Sequence, residues 1–508
     1  MILRSILLTF LSFFVILSLF AQDSLYHFKV EAQGIATSKN HVPFWMRSNQ
    51  FGSVPLDGAS GSFIAGATKS YASPYQKGGK FFDWGAGFEG RVNGGNRGQF
   101  LLLEAYGKIR LAMFELKAGR TKDVMGLNGD TTLSSGNFAV SGNALGIPKV
   151  EISIPNYYTL PIFDGLFAIK GNIAHGWVGR MPFQKGQFAD PNHPYIKDGV
   201  PTYFHQTSLY GRIGKTNWRA KVYLGINHEA YWGNEKAIYG EYFGLSPIET
   251  FYHVLIGKVY RFGGGTGYTK IGNQLGSVDI GFQYDFDNIS LLVYRQNIYD
   301  VGALSRLANI RDGLNGITLT NRMYRTDLSS GFQWKKILVE FLYTKNQAGE
   351  KWSKATKSGD EDYYNNGYYF KGWSYHEVGI GTPFITPARL VREGQPRDPR
   401  QFFVNNRVIA FHLGAELSYK SWSFLGKASY SKNYGTFATS ETGASLGDRY
   451  RDPVYGIFKN VNQFSLYGEI GRSLANGYSV GAAIAIDRGK LLNNSMGGFL
   501  KITKSFYY

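Results

Sequence analysis

The sequence predicts an all-β fold: a transmembrane antiparallel β-barrel of about 18 strands, with short helices in its loops. Three observations predict it. Apolar and polar residues alternate in runs of about ten, where ordinary strands average five or six. A two-faced strand of about that length crosses a bilayer when tilted. Beyond the first residues, no apolar stretch is long enough for a membrane helix, while Gly (64 residues) and aromatics (16%) are abundant. The intervals between the runs also sort by length, short and long in alternation.

Residues 1–21 read as a secretory signal, with Arg4 as the positive start, Ile6–Phe20 as the apolar core and Ala21 before the cut. Residues 22–508 then form the barrel and its long outer loops. Cys is 0, which excludes a disulfide framework, thiol chemistry and cysteine metal sites. Net charge is +18, or +17 once Arg4 is removed with the signal. No basic run is interleaved with aromatics as a nucleic-acid site requires. The anions that suit such a charge in an outer membrane are lipopolysaccharide phosphates and acidic polysaccharides.

Alternation places the strands at Tyr26–Ile35, Phe63–Tyr71, Phe81–Asn93, Gln99–Leu111, Phe114–Lys122, Lys149–Ile154, Phe163–Gly176, Tyr203–Ile213 and Trp218–Asn227. The second half supplies Leu275–Asp287, Ile289–Tyr299, Asp327–Trp334, Ile337–Lys345, Arg407–Tyr419, Trp422–Tyr430, Phe464–Ser473, Tyr478–Ile486 and Gly497–Tyr508. In the Phe81–Lys122 region, Phe82, Trp84, Phe88 and Val92 oppose Asp83, Glu89 and Arg91, then a turn follows at Asn93-Gly94-Gly95-Asn96. Val278, Ile280 and Phe282 oppose Ser277, Asp279 and Gln283 in the same way. A Lys or Arg at the lipid mid-plane costs roughly 2–4 kcal/mol, so the charged faces belong to a polar lumen.

With the amino terminus in the periplasm, the lower connections are 72–80, 112–113, 155–162, 214–217, Asn288, 335–336, 420–421 and 475–477. The upper ones, 36–62, 94–98, 123–148, 177–202, 228–274, 300–326, 346–406, 431–463 and 487–496, are mostly long. Short periplasmic turns under long outer loops are characteristic of this barrel class. The last strand places Leu500, Ile502, Phe506 and Tyr508 on one face, an end that suits the membrane interface and outer-membrane assembly machinery. Lys504 on that face is tolerable only where it snorkels to headgroups.

Two helices are expected in upper loops, covering or plugging the mouth. Ser246-Pro247-Ile248-Glu249 forms a capping box ahead of the stripe Ile248, Phe251, Tyr252 and Leu255. Val301–Arg311 is the second, with Gly313 past its end.

Enzyme motifs fail on context. Gly85–Gly90 matches G-x-G-x-x-G but lies inside a strand, and Gly443–Gly447 matches G-x-S-x-G without the strand–turn–helix it needs. The nine His are scattered with no metal spacing; His228 and Glu229 are the nearest approach to a hydrolase pair. No catalytic residue, metal or cofactor is expected. Loop 346–406 is distinctive for Trp352, Tyr363, Tyr364, Tyr368, Tyr369, Trp373 and Tyr375, followed by Arg389, Arg392, Arg397 and Arg400. Flat rings stack on sugars, and Asn and Arg bond hydroxyls and carboxylates, so the composition is lectin-like. The same residues would also serve simply to fold the loop over the pore. The first candidates for polysaccharide contact are Tyr363, Tyr364, Tyr368, Tyr369, Trp373, Tyr375 and Arg392.

Three stretches resemble a known family. Pro43-Phe44-Trp45-Met46-Arg47-Ser48-Asn49-Gln50-Phe51-Gly52-Ser53-Val54-Pro55 is similar to a segment of the Wzi-type capsule-assembly proteins. Glu104–Lys108 with Phe114–Arg120 resembles the strand pair that follows there, and Leu133–Gly136, Ser141–Ala144 and Ile147–Val150 resemble the next block. The likeness is strongest over 43–155. It implies an outer-membrane barrel acting as a surface lectin, which holds exported capsular polysaccharide and is not the export pore. It carries over no glycan-contact residues, because the outer loops differ. The chain is expected to act as a monomer, and two other readings stay open: a general or substrate-specific porin, and an outer-membrane hydrolase.

Overall fold

The computed structural model describes residues 25–72, 81–96, 98–184, 195–233, 235–240, 243–261, 268–300, 302–326, 331–350, 359–446 and 449–508. The expected signal, 1–21, lies outside the described residues, as does Trp352. One sheet of 18 strands contains β1 (Tyr26–Thr37), β2 (Ser60–Lys69), β3 (Phe82–Gly94), β4 (Gln99–Leu111), β5 (Phe114–Arg120), β6 (Lys149–Thr159), β7 (Phe167–Gln184), β8 (Tyr195–Ile213) and β9 (Ala220–Trp232). It continues with β10 (Asn273–Asp285), β11 (Ile289–Tyr299), β12 (Gly313–Asn321), β13 (Phe332–Tyr343), β14 (Val408–Tyr419), β15 (Trp422–Asn433), β16 (Val461–Ser473), β17 (Tyr478–Gly489) and β18 (Ser495–Tyr507). Each strand pairs antiparallel with the next, and β1 pairs with β18 from His27↔Tyr507 to Thr37↔Gly497. The sheet is therefore closed and has no free edge.

The alternation read from the sequence becomes inside and outside. On β9, Val222, Leu224 and Ile226 are exposed outward, while Lys221, Tyr223 and Asn227 are buried inward. Phe82, Phe114, Trp218, Phe286, Phe332, Tyr419, Tyr478 and Tyr507 all stand exposed at the end of the barrel that carries both termini. That is an aromatic girdle at one membrane interface. Lys504 lies in it, stacked on the rings of Tyr478 (4.3 Å) and Phe506 (4.9 Å), with its Nζ donating to the Asn476 carbonyl. Connections at this end are mostly brief (112–113, 286–288, 420–421, 474–477), whereas 38–59, 121–148, 233–272, 344–407 and 434–460 gather at the far end.

One strand was misplaced by the pattern. The expected strand Asp327–Trp334 and its turn 335–336 are replaced by β12 and by an uninterrupted β13, joined through 322–331. The cause is a β-bulge between Trp334 and Lys336, which inverts the alternation within one strand and mimics a turn. β12 carries no clean alternation, because Asn315 stands on its outward face beside Ile317, while apolar Leu314 and Gly316 stand on the inward one. A Cβ at Gly316 would meet the Tyr294 ring at 2.0 Å, so the position is kept open for that ring. Further on, the expected start at Phe163 is a 3-10 turn (Phe163–Gly165) with β7 beginning at Phe167, and β7 and β8 extend past the expected ends.

Three short α-helices are described: α1 (Phe44–Arg47), α2 (Glu235–Tyr239) and α3 (Pro247–Leu255). The capping box of α3 is present, with Ser246 Oγ accepting from the Glu249 amide and Glu249 accepting from the Ser246 amide. The expected helix over Val301–Arg311 is only a 3-10 turn, Ala303–Arg306, ended by Leu307 at φ 53°. α3 does not cover the mouth. It packs on the outside of the wall, where the imidazole Nε2 of outward-facing His228 lies 2.8 Å from the Val254 carbonyl. Its Phe251 ring lies against His205 (5.6 Å) and Trp232 (5.6 Å).

Candidate functional site

The lumen is occupied by three far-end loops that fold inward and bond to one another. Loop 38–59 enters through α1. Pro43 starts the turn, Trp45 is 1% exposed, its Nε1 donates to Ser429 Oγ (3.0 Å), and the Phe44 amide donates to Asp487 Oδ2 (2.8 Å). Wall carboxylates and amides hold loop 121–148. Glu340 accepts from Ser134 Oγ (2.8 Å) and from the Ser135 amide (2.6 Å), Glu416 accepts from Thr132 Oγ1 (2.6 Å), and Gln296 accepts from the Phe138 amide (2.9 Å). Lys336 Nζ lies 2.8 Å from Asp130, whose carboxyl sits below the usual range; burial opposes the shift, and the Lys336 and Leu133 hydrogen bonds outweigh it. Inward polar residues of β11, β13 and β14 thus serve as anchors for this loop.

Loop 344–407 lies across the other two. Asn143 Nδ2 donates to the Gly379 carbonyl (2.9 Å), Ser141 Oγ to the Gly381 carbonyl (2.7 Å), and Asn49 Nδ2 to the Ser134 carbonyl (3.2 Å). The segments that carry the family likeness, 43–55 and 133–147, are therefore joined in space as parts of this plug.

The aromatic set of that loop is largely inside it. Tyr363, Tyr364, Tyr369 and Trp373 are buried, and Tyr375 is 6% exposed where it borders a cleft at the far end. Trp373 Nε1 donates to the Ala139 carbonyl (2.9 Å), Tyr363 OH to Asp312 Oδ2 (2.7 Å), Tyr369 OH to the Tyr231 carbonyl (3.1 Å) and Tyr364 OH to the Phe138 carbonyl. Tyr368 is half-buried with its ring 5.5 Å from that of Tyr239, and Arg392 donates to the Gly489 (2.9 Å) and Leu492 (3.0 Å) carbonyls, joining the plug to the end of β17. Phe138 meets both Tyr363 (5.3 Å) and Tyr364 (5.0 Å). Too many rings are gathered in one loop for all of them to sit on a surface, and most of them pack on rings of other elements: Phe138 of loop 121–148, Phe204 of β8, Tyr231 of β9 and Tyr239 of α2.

Between loops 38–59, 121–148 and 344–407 and the residues Gly95, Asn96 and Gly98 after β3, the plug leaves a cleft of about 630 Å³ at the far end. Arg47, Asn96, Asn143, Tyr375, His376 and Arg389 supply much of its polar lining. The Tyr375 hydroxyl accepts from Arg120 (3.2 Å). Arg389 and Lys371 flank Glu377 at 3.3 and 3.1 Å and, with the Lys371 hydrogen bond as the largest influence, hold its carboxyl below the usual range. Burial, and then the charges of Arg120 and Lys371, lower the His376 pKa, so this imidazole is neutral at pH 7. Burial also brings Arg47 down to about 10, which leaves it charged. A cleft with two guanidinium groups, the Asp57 carboxylate, four side-chain amides (Asn40, Asn96, Gln99 and Asn143), a neutral imidazole and a tyrosine can bind hydroxyls and carboxylates. Sequence reasoning missed Arg47, Asn96 and His376. Arg47 stood within the Pro43–Pro55 segment, while Asn96 was visible only as a turn residue.

The same geometry separates the hydrolase candidates. His228 faces outward and Glu229 inward on β9, so they lie on opposite sides of the wall. His412 Nδ1 does lie 2.7 Å from Ser429 Oγ, but the pair is buried, Trp45 occupies the serine oxygen, and His412 Nε2 is 2.6 Å from the Leu133 carbonyl, with no carboxylate to orient it. Among the described residues no cluster of His, Asp and Glu could hold a metal ion.

No known family's sequence profile matches the chain, and no curated protein matches it. It is similar in structure to Wzi, an outer membrane protein involved in group 1 capsule assembly in Escherichia coli and a carbohydrate-binding β-barrel. That match covers 96% of this chain and 85% of the other, with a TM-score of 0.53 and 12% identity. Pseudomonas aeruginosa OccK10 (OpdN) and OprD align over 96% and 95% of this chain and 99% and 95% of theirs, at TM-scores of 0.43 and 0.42 and 8% identity, too far to carry an argument. At 12% identity the likeness to Wzi is one of fold, and the fold is that of an outer-membrane β-barrel.

Proposed function

We propose that this chain is a non-catalytic outer-membrane receptor, a surface lectin, that attaches capsular or other extracellular polysaccharide through the cleft at its far end. The observation that carries this reading is the cleft itself: about 630 Å³ of space lined by Arg47, Arg389, Asp57 and four side-chain amides, built by loops that fill the lumen. The likeness of 43–55 and 133–150 to capsule-assembly proteins supports it, as does the carbohydrate-binding description of one structural neighbour. In this reading the far end faces outside and both termini face the periplasm. Loop 344–407 contributes in two ways: Tyr375, His376 and Arg389 touch glycan, while Tyr363, Tyr364, Tyr369 and Trp373 hold the loop in shape, with Tyr368 and Arg392 at its margins. The charge of +17, once Arg4 leaves with the signal, favours an acidic polymer, and lipopolysaccharide in the surrounding leaflet answers to the same charge. Individual contacts are weak, and retention comes from many repeats engaging many barrels.

The test is point substitution in the cleft. Removing 360–376 would also remove buried plug residues and collapse the loop. Arg389→Glu combined with His376→Ala should release polysaccharide from the cell surface into the medium, with barrel abundance unchanged. Full retention by that variant overturns the cleft as the binding site. A large steady current through the wild-type protein in planar bilayers would favour the porin reading, and turnover of lipid or ester substrates would favour the hydrolase.

A further inference from the structure

α3 is apolar on two sides. One side packs on the wall: Val254 and Ile271 are fully buried with Ala230 and Trp232, and Phe251 covers His205. The other carries Ile248 (83% exposed), Tyr252 (51%) and Ile256 (53%), four residues apart and so in one stripe. Gly257, at φ 62°, turns the chain back, and Val259 adds a further exposed apolar residue. A helix on a water-facing surface would place charge on that side.

Its position explains the stripe. α3 lies over the outward faces of β8 and β9, at the level of His205 and His228. The next outward residues toward the girdle are Ile226, Leu224 and Leu209, all exposed and part of the lipid-facing band. From Ala220 to His228 the strand climbs about 20 Å, taking about 3.3 Å per residue and a tilt of about 40°, against an apolar band about 25 Å tall. The stripe is thus continuous with the lipid-facing wall and sits at its upper margin. Lys258 follows immediately, exposed, with its Nζ 5.7 Å from the Tyr252 ring.

We propose that α3 is a lipid anchor: it lies in the plane of the far-end leaflet, with Ile248, Tyr252 and Ile256 among the acyl chains and Lys258 at the headgroup phosphates. Interfacial helices of this kind bury their apolar face about 5–10 Å into the boundary. The inference rests on the barrel and its lipid-facing band, and it stands whether or not the cleft binds glycan.

The chain has no cysteine, so a single introduced one is unique. Nitroxide labels at Ile248→Cys, Tyr252→Cys and Ile256→Cys would be compared with Ile226→Cys on the wall and Thr442→Cys in an exposed loop. The protein is reconstituted in vesicles of phosphatidylethanolamine, phosphatidylglycerol and lipopolysaccharide. Collision with oxygen should exceed collision with a water-soluble nickel chelate several-fold at 248, 252 and 256, as at 226, with the opposite order at 442. Nickel-dominated collision at the helix sites, with 226 still oxygen-dominated, overturns the anchor and leaves the barrel intact. Exclusion of both reagents, the result of a covering protein partner, overturns it as well.

Discussion

Glu340 shows how a barrel wall can hold a plug. One carboxylate, 1% exposed, accepts from Ser134 Oγ, from the Ser135 amide and from Tyr294 OH (2.5 Å). Glu340→Ala would leave three buried donors unmet, at about 1–3 kcal/mol each. Such a variant should show flickering current in planar bilayers and a lower unfolding temperature, and Glu340→Gln, which keeps an acceptor, should show less of both. Wild-type behaviour in Glu340→Ala would mean that the pin is idle. Asp362 lies within loop 344–407, and Asp312 accepts from the Asn346 and Gln347 amides and from Tyr363 OH of that loop. Burial raises both to about 6, so each binds a proton more tightly folded than unfolded. Their contribution to stability is fully present below the ordinary carboxylate pKa of about 4 and is lost as pH rises through about 6. Amide protection over 359–365, corrected for intrinsic exchange, should therefore be greater near pH 5 than near pH 7.5. Equal protection would show that the two carboxyls do not govern the loop.

At the scale of elements, the strands were legible because lipid and lumen demand opposite residues at alternate positions. The misplacement at Trp334–Lys336 falls where a bulge breaks that rule, and β12 is obscured where Asn315 faces outward and Leu314 inward. α3 could be read from Ser246 to Glu249 to the residue, yet nothing local tells which side of a wall a loop helix will take. The site was less legible for a related reason. Loop 346–406 announces its rings, but burial depends on Phe138, Ala139 and Tyr231, far away in sequence. The cleft comes from four separate connections, 38–59, the turn after β3, 121–148 and 344–407, so no window of sequence contains it. The plug is testable as an element: excising 127–141 removes the Glu340 and Glu416 anchors together, and a steady ionic current should appear where the full chain holds a closed baseline. Continued closure would assign the seal to loops 38–59 and 344–407.

The whole molecule makes a claim about direction. Asn217 is exposed in the turn before β9 at the terminal end, and His376 is exposed at the far end. On intact cells a membrane-impermeant thiol reagent should label His376→Cys and spare Asn217→Cys, and the reverse would invert the barrel. The seam between β1 and β18 has a further consequence, one of timing. Tyr26 and Tyr508 exchange both of their backbone hydrogen bonds at 2.9 Å, and α1 docks through Phe44 on Asp487, 443 residues later in the chain. Contacts that span so much sequence form late. Loop 38–59 emerges among the first residues of the chain, yet its seat does not exist until β15 and β17 are in place. The earliest loop to be translated is thus among the last to settle, and an assembling barrel stays open to its surroundings until then.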